Sequence, residues 1–150
     1  MSRYIDANLM TNESVVKKGI THWFVFVPGV SMIVVGLSLG AVTQTPLGNV
    51  FVPIGLFLLI KAGLSYISTE LAVTSKRVIA KFGFIRRNSI ELNHNNVESF
   101  KVDQSILGRI LNYGTIHING IGGVSTPIPS IARPLEFRRA ALETIEPTQA

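Results

Sequence analysis

The sequence predicts a membrane α-helical hairpin followed by a small, mainly β domain that is capped by a C-terminal helix. Three patterns indicate this division. No charged residue occurs in the 42 positions from Gly19 to Ile60, apolar and polar residues alternate in short segments after Thr69, and apolar residues after Pro134 recur at helical spacing. These patterns exclude a uniformly soluble globule, a disordered chain and a collagen-like chain.

The charged residues are concentrated outside this uncharged run. Of the 150 residues, 47% are hydrophobic and only 15% are charged, against about 25% charged in an average soluble domain. The 14 basic and 9 acidic residues all lie in the other 108 positions, which therefore resemble an ordinary soluble domain. The chain contains no cysteine, and this excludes disulfide scaffolds, zinc ribbons and thiol catalysis.

The uncharged run is too long for one membrane span, because about 20 residues cross the hydrocarbon core. The polar stretch from Thr43 to Pro46 divides it into spans 23–42 and 47–66, joined by a turn of a few residues. Trp23 and Tyr66 lie at the ends of the two spans on the same side, as expected of interfacial anchors. A cleaved signal peptide is disfavoured, because its apolar region usually has only 7–15 residues.

Basic residues predict the orientation of the hairpin. Arg3, Lys17 and Lys18 precede the first span, several Lys and Arg follow the second, and the turn between the spans is uncharged. Because Lys and Arg are retained on the cytoplasmic side, we expect a multi-pass protein of the inner (plasma) membrane with both termini in the cytoplasm.

Four regions follow from these spans. Residues 1–22 are expected to form a cytoplasmic N-terminal segment, residues 23–66 the transmembrane hairpin, residues 67–145 a cytoplasmic domain and residues 146–150 a tail. Within the N-terminal segment, the residues from Asn12 to Lys18 are expected to form a short helix, either on the membrane surface or as the first turns of the first span.

Lys61 is the charged residue that ends the uncharged run, and it lies inside the second predicted span. Its stem can extend to the interface near Tyr66, about 7.5 Å away along a helix, so we expect Lys61 to snorkel and to serve as an interfacial anchor. The alternative is an ion or substrate path through an oligomer, because charges inside membranes are often functional.

The residues after Thr69 show the period-2 pattern of half-buried strands. Val78, Ala80, Phe82 and Phe84 are expected on one packed face, with Ile79 and Lys81 on the opposite, wet face. Ile116 and Ile118 alternate with polar residues in the same way. Such segments recur every 8 to 12 residues, which predicts an antiparallel sheet that closes into a small barrel or sandwich.

The last predicted element is an amphipathic helix that begins at Pro134. Phe137, Ala141 and Ile145 would pack on the sheet. The opposite face would expose three charged residues: Arg138, Arg139 and Glu143.

Three sequence segments carry a family resemblance. They are TELAVTSKRVIAKFGFIRRNSIEL at 69–92, NVESFKVDQSILGRILNYGTIHINGIGG at 96–123 and PIPSIARPLEFRR at 127–139. In order and spacing they resemble the bacterial pleckstrin-homology-like (PH-like) domain family, in its short membrane type with two spans before one domain. The resemblance implies about seven antiparallel strands in a small barrel with a C-terminal helix. It implies no activity, and a phosphoinositide ligand is not carried over by fold alone.

No pattern of catalytic or metal-binding residues is found. The histidines His22, His94 and His117 lack the spacing of a metal pair, and no nucleophile elbow, HExxH or P-loop motif occurs. The glycine-rich stretch from Gly120 to Gly123 is interpreted as a hairpin turn, because no Lys-Ser/Thr and no helix start follow it. We therefore expect no enzyme activity, no cofactor and no metal.

One group of basic residues follows the second span closely: Lys76, Arg77, Lys81, Arg86 and Arg87. These residues are predicted to contact the membrane surface or anionic lipid headgroups, where each Lys or Arg contributes about 1 kcal/mol. The alternative is that they only set the topology and solvate a strand face, and the two interpretations are compatible. Nucleic-acid binding is not expected, because no basic stripe is interleaved with aromatic residues.

The stretch from Gln104 to Tyr113 is expected to form a short helical turn between strands. Ile106, Ile110 and Tyr113 are predicted to belong to the core, and the alternative is an exposed apolar patch for a partner.

The function predicted from these features is that of a membrane-anchored, non-catalytic binding or scaffolding module. Its expected partners are the lipid bilayer, a membrane protein and a second copy of the chain. The alternatives are recognition of anionic lipid by the basic group and an oligomeric pore that uses Lys61. Small residues in the first span would permit the close helix packing of a homo-oligomer: Gly29, Ser31, Gly36, Ser38 and Gly40.

Overall fold

The computed structural model describes residues 3–44, 46, 48–83 and 88–146. Its contacts divide the chain into two compact units: a helical unit, Trp23–Ile67, and a sheet unit formed by Met1–His22 together with Ser68–Ala150. The sheet unit is therefore discontinuous in sequence. Residues 1–22, expected as a separate N-terminal segment, are part of this unit.

The helical unit contains two long apolar helices. A 3-10 turn, Trp23–Phe26, leads into helix α2, Val27–Thr43, and helix α3 covers Gly48–Ser68. The segments Trp23–Thr43 and Gly48–Ser68 are each 21 residues long, and by length and composition they are long and apolar enough to cross a membrane. Their ends lie within two residues of the predicted spans.

Small residues bring α2 and α3 into backbone contact. They recur at seven-residue spacing: Gly29 and Gly36 on α2, and Gly48, Gly55 and Ala62 on α3. A Cβ added at Gly55 would lie 2.6 Å from Cγ1 of Ile33 and 2.8 Å from the carbonyl oxygen of Gly29. The spacing is the heptad repeat of a left-handed helix pair, in which small residues permit close approach.

This packing occupies several of the small residues that were predicted to serve self-association. Gly29 and Gly36 are buried against α3, and Cα of Gly48 lies 3.9 Å from a Cβ added at Gly40. Ser31 and Ser38 are exposed, and their hydroxyls donate to backbone carbonyls of their own helix. The glycines therefore serve the hairpin itself.

The sheet unit consists of two antiparallel sheets and three helices. The first sheet has the order β1 Val15–Gly19, β2 Glu70–Thr74, β3 Arg77–Phe82 and β4 Asn88–Asn93. The second sheet has the order β5 Val97–Asp103, β6 Tyr113–Gly120 and β7 Val124–Ala132. The helices are α1 Arg3–Ala7, α4 Ile106–Ile110 and α5 Pro134–Ile145. The prediction of a mainly β, antiparallel fold with a C-terminal helix is confirmed.

The sequence suggested a small closed barrel. In the described residues the strands instead form two separate sheets. The segment after β1 bridges one edge of the two sheets. Thr21 forms an isolated bridge with Ile131 of β7, and the His22 N–H donates to the Ser130 carbonyl at 2.7 Å. Between the segment after β1 and β7, this single bridge is present instead of a continuous ladder of paired residues.

The core lies between the two sheets and is covered by α5. Val78 and Ala80 of β3 pack there with Ile116 and Ile118 of β6, which alternate as predicted. Helix α5 adds the predicted stripe: Phe137, Ala141 and Ile145. Arg138, Arg139 and Glu143 are exposed on its other face, as expected.

The second face of β3 is buried, although its pattern predicted a wet face. Ile79 is fully buried in a second cluster with Ala72 of β2 and Ile5 of α1. Helix α1 is held over this face because the Glu70 carboxylate accepts hydrogen bonds from the backbone N–H groups of Tyr4 and Ile5. The covering helix comes from the N-terminal segment, so the alternation within β3 could not reveal it.

The expectation of a helix between Asn12 and Lys18 is wrong. The structure places strand β1 there, paired with β2 and with a register shift between Val15 and Lys17. The β-branched pair Val15-Val16 favours a strand, and the free edge of β2 supplies the backbone partners. A long-range pairing of this kind outweighs a weak local helix signal.

Both connections to the helical unit leave the sheet unit at the same end. Gly19 of β1 pairs with Leu71 of β2, and the chain departs three residues after Gly19 and returns three residues before Leu71. The end of β7 lies here too, because the Ala132 N–H donates to the Ile20 carbonyl at 2.8 Å. We term this the linker end, and the opposite end, with the β2–β3 and β6–β7 turns, the far end.

Candidate functional site

The basic group predicted to contact lipid includes one residue that is buried. The Arg77 guanidinium donates to both carboxylate oxygens of Glu13 at 3.0 Å and also to Glu91 of β4. A further bond reaches the Asn8 carbonyl at 2.6 Å. The Arg77 side chain is only 7% exposed, so its charge is neutralised inside the domain and it does not belong to a lipid-contact surface.

This ion cluster connects the N-terminal segment to the first sheet. Besides Arg77, the Glu13 carboxylate accepts from the Thr74 hydroxyl at 2.6 Å and from the Met10 N–H at 2.7 Å. Burial alone would raise the pKa of Glu13, but the hydrogen bonds from Arg77, Met10 and Thr74 lower it from 4.5 to about 2. The hydrogen bond to Glu13 in turn raises the pKa of Arg77 further above its already high ordinary value.

Because the pKa of Glu13 is lowered, the sheet unit is expected to lose stability as the pH falls into the acid range. Because the folded state holds this carboxyl ionised down to about pH 2, its contribution is present above pH 4.5 and is lost as the pH falls from 4.5 to 2. The shift corresponds to about 3 kcal/mol. We expect Glu13→Gln to remove this dependence in urea unfolding of the full chain in mild detergent, followed by circular dichroism.

A matched control for this prediction is Glu136→Gln. Glu136 is half exposed, 3.9 Å from Lys17 and 3.8 Å from Arg133, so its ion pairs contribute little. The acid dependence should survive in this variant. An unchanged acid dependence in Glu13→Gln would contradict the assignment.

The two described basic residues that remain, Lys76 and Lys81, lie at different ends of the sheet unit. Lys76 is exposed in the turn between β2 and β3, where its ammonium donates to the Thr11 carbonyl, and Lys81 lies at the other end of β3 over the Tyr4 ring. They are five positions apart, which corresponds to about 16 Å along a strand. Arg86 and Arg87 lie outside the described residues. Of the described members of the group, Lys81 alone lies at the linker end.

The predicted interfacial anchors all lie in the helical unit. Trp23 begins the 3-10 turn, and the ring of Tyr66 lies 5.6 Å from that of Phe26, so the two anchors are at the same end of the hairpin. Lys61 precedes the buried Ala62 and is itself exposed, on the outside of α3. It therefore does not lie between the two helices.

The three histidines have separate partners in the described structure. His22 stacks on Tyr113 with ring centroids 5.3 Å apart, and the buried His94 donates from Nε2 to the Thr74 carbonyl at 3.0 Å. His117 pairs with Asp103 at 3.0 Å across the β5–β6 ladder. Gly122 and Gly123 have positive φ angles in the β6–β7 turn, as expected of the hairpin interpretation.

Helix α4 exposes the apolar residues that were predicted to lie in the core. Ile106 is 80% exposed, Leu107 56% and Ile110 73%. The core prediction is wrong for Ile106 and Ile110, whereas Tyr113 is half-buried. Gly108 faces inward instead, because a Cβ added there would lie 2.6 Å from the Tyr113 carbonyl oxygen.

A surface pocket of about 400 Å³ opens beside α4 at the base of β5 and β6. Its lining residues include Asp103, Gln104, Thr115 and Ser130. Gln104 spans its edge, since its amide donates to the carbonyls of Gly108 and Tyr113 at 3.2 and 3.0 Å. These two hydrogen bonds connect the end of β5 to α4 and to the start of β6.

Two antiparallel sheets enclosing a core, with a helix after the last strand, define the PH-like class of fold. A family model described as bacterial PH domain matches residues 24–144, and the chain belongs to this family. The match begins after β1 and includes both apolar helices.

The chain is also similar in structure to a solved protein. The chain is similar to a DUF1696 family protein with a pleckstrin-homology domain from Shewanella loihica PV-4, at 6% sequence identity and a TM-score of 0.48. The similarity covers 96% of this chain and 92% of that chain. No curated protein matches the chain.

Proposed function

We propose that this chain is a membrane-anchored, non-catalytic binding module that presents its PH-like domain at the cytoplasmic face of the inner membrane. The pairing of β1 with β2 across the helical unit carries the proposal. Paired strands must lie on the same side of a membrane, and two helices of spanning length return the chain to the side that it left. This supports an anchor with both termini on one side.

The distribution of charge supports the cytoplasmic side. Lys17 and Lys18 of β1 directly precede the helical unit, whereas the hairpin turn around Gln44 carries no charge. Basic residues are retained in the cytoplasm. The sheet unit, with its core and ion cluster, would then fold in the cytoplasm.

Cysteine labelling tests the anchor and its orientation, because the native chain has no cysteine. In spheroplasts, a membrane-impermeant maleimide should label Gln44→Cys in the turn. Glu146→Cys, at the end of α5, should react only after permeabilisation. Labelling of Glu146→Cys from outside would overturn the orientation, and recovery of the protein in the soluble fraction would overturn the anchor.

The binding partner is proposed to be a protein, either a membrane protein or a second copy of the chain. Anchoring confines the domain to the membrane plane and so raises its effective concentration toward such partners. Exposed apolar residues along the helices, such as Leu37 and Phe57, offer a further contact surface. Native mass measurement and crosslinking of the detergent-extracted protein test this, and a monomer without crosslinked partners would contradict it.

Recognition of anionic lipid by the basic group is less well supported by the structure. Arg77 is buried, and Lys76 and Lys81 lie at opposite ends of β3. The alternative now depends on Lys81 with its chain neighbours Arg86 and Arg87. Charge reversal of Arg86 and Arg87 that leaves the salt dependence of liposome binding unchanged would exclude it.

A pore that uses Lys61 is the third proposal for the helical unit. The exposed position of Lys61 outside the helix pair supports snorkelling, because a lysine at this depth extends its ammonium to the interface. Normal assembly and growth of a Lys61→Leu strain would argue against the pore.

A further inference from the structure

Helix α4 has the reverse of the polarity expected for a helix in a soluble domain. Its large apolar residues Ile106, Leu107 and Ile110 fall within an arc of about 100° on the exposed side. On the inward side, Gly108 packs directly against the backbone of Tyr113. Large apolar side chains are normally buried, so this arrangement needs a cover.

The exposed face of α4 is held rigidly. The Ser105 hydroxyl caps the helix by accepting from the Gly108 N–H at 3.1 Å, and the Gln104 amide bonds to the carbonyls of Gly108 and Tyr113. On its other side the Arg133 N–H donates to the Asn112 carbonyl at 2.8 Å. These bonds fix the three apolar side chains outward, so their exposure does not come from a loose loop.

Helix α4 lies at the linker end of the sheet unit. It directly precedes β6, whose first residue Tyr113 pairs with Ala132, and Ala132 is bonded to Ile20. Trp23, the first residue of the helical unit, follows Ile20 by three residues, which span at most about 10 Å. Covalent connection therefore keeps Trp23 within about 10 Å of Ile20. Ile20 itself is exposed.

The charge of this region suits a bilayer surface. No acidic residue occurs between Asp103 and Glu136, while Arg109 within α4 and Arg133 beside it are exposed. Arg109 flanks the apolar face, where a long basic side chain can reach the headgroups while its neighbours enter the apolar layer. Exposed apolar residues bordered by arginine at this position fit a lipid surface.

We infer that α4 inserts Ile106, Leu107 and Ile110 into the interface of the membrane that anchors the chain, and so fixes the orientation of the PH-like domain. The inference rests on the proposed function, because it takes the bilayer to lie beside the linker end. It concerns apolar insertion by α4 and is independent of the basic group on β3.

Fluorescent labels of matched exposure test the inference in the full chain. Ile110→Cys and, as control, Ile121→Cys would each be labelled with an environment-sensitive dye and reconstituted into liposomes. Ile121 is 66% exposed in the β6–β7 turn at the far end, against 73% for Ile110. We expect a blue shift at position 110 and loss of its emission with lipids brominated near the glycerol end of the acyl chain. The label at 121 should keep the emission it has in water.

The outcomes separate the inference from the proposed function. Equal, water-like emission at both positions in protein that resists alkaline extraction would overturn the insertion of α4 and leave the anchor intact. Failure to incorporate into liposomes would overturn both. A third outcome is a blue shift at position 110 that is not quenched by brominated lipid and that disappears when the protein is diluted with more lipid. This outcome would show that a second copy of the chain covers α4, and it would overturn the lipid contact.

Discussion

Replacement of Arg77 by methionine is expected to lower the free energy of unfolding of the sheet unit by about 3–5 kcal/mol. Arg77 bonds to Glu13, Glu91 and the Asn8 carbonyl. The side chain of Glu13 is fully buried, and without Arg77 its charge is left without a cationic partner. Removing one member of a buried ion pair costs far more than the pair contributes.

The change would be measured by urea unfolding of the full chain in mild detergent, with hydrogen exchange of the β2 and β3 amides as a local readout. Arg133→Met is the matched control. Arg133 is 69% exposed and lies 3.8 Å from Glu136, so the same substitution there should shift stability by less than about 1 kcal/mol. Equal effects of the two substitutions would show that the cluster does not hold β1 and α1 on the sheet.

Replacement of Gly55 by leucine is expected to separate α2 from α3. Even the Cβ of a new side chain at Gly55 would collide with Ile33 and with the Gly29 carbonyl, at 2.6 and 2.8 Å. Overpacking of this kind costs about 1–3 kcal/mol. Unfolding of the full chain by SDS from mild detergent, followed by the fluorescence of Trp23, should therefore begin at a lower SDS fraction.

The control for this second prediction lies on the same helix. A Cβ added at Gly63 meets nothing within 4 Å, so Gly63→Leu adds the same side chain without a collision. It should leave the SDS transition near that of the native chain. If both variants unfold alike, the seven-residue glycine repeat does not determine the packing of the hairpin.

The local patterns of the sequence predicted the elements that depend on local information. The two apolar helices, the alternation in β6 and the stripe on α5 all follow from spacing within one segment, and the structure places them as expected. The resemblance to the PH-like family supplied the fold.

Three of the errors arose from contacts between distant segments. The pairing of β1 with β2, the burial of Ile79 under α1 and the bonding of Arg77 to Glu13 each join residues more than 50 positions apart. No periodicity within a segment reports such contacts. The Val15-Val16 pair was a usable signal for β1, whereas Arg77 looked like any other basic residue near a span.

Helix α4 was misjudged for a different reason. Ile106 and Ile110 are large and apolar, and burial is their most frequent state. The informative residue was Gly108, because a glycine in the middle of a short helix indicates the side that approaches another backbone. That side faces Tyr113, so the isoleucines point the other way.

The insertion of the helical unit between β1 and β2 sets an order for biogenesis. Gly19 cannot pair with Leu71 until both apolar helices have left the ribosome. At about 5–20 residues per second, the intervening chain takes roughly 3–10 s to synthesise. During that interval β1 has no strand partner. The first sheet is therefore completed only after both apolar helices have been synthesised, so a folded first sheet requires an intact helical unit.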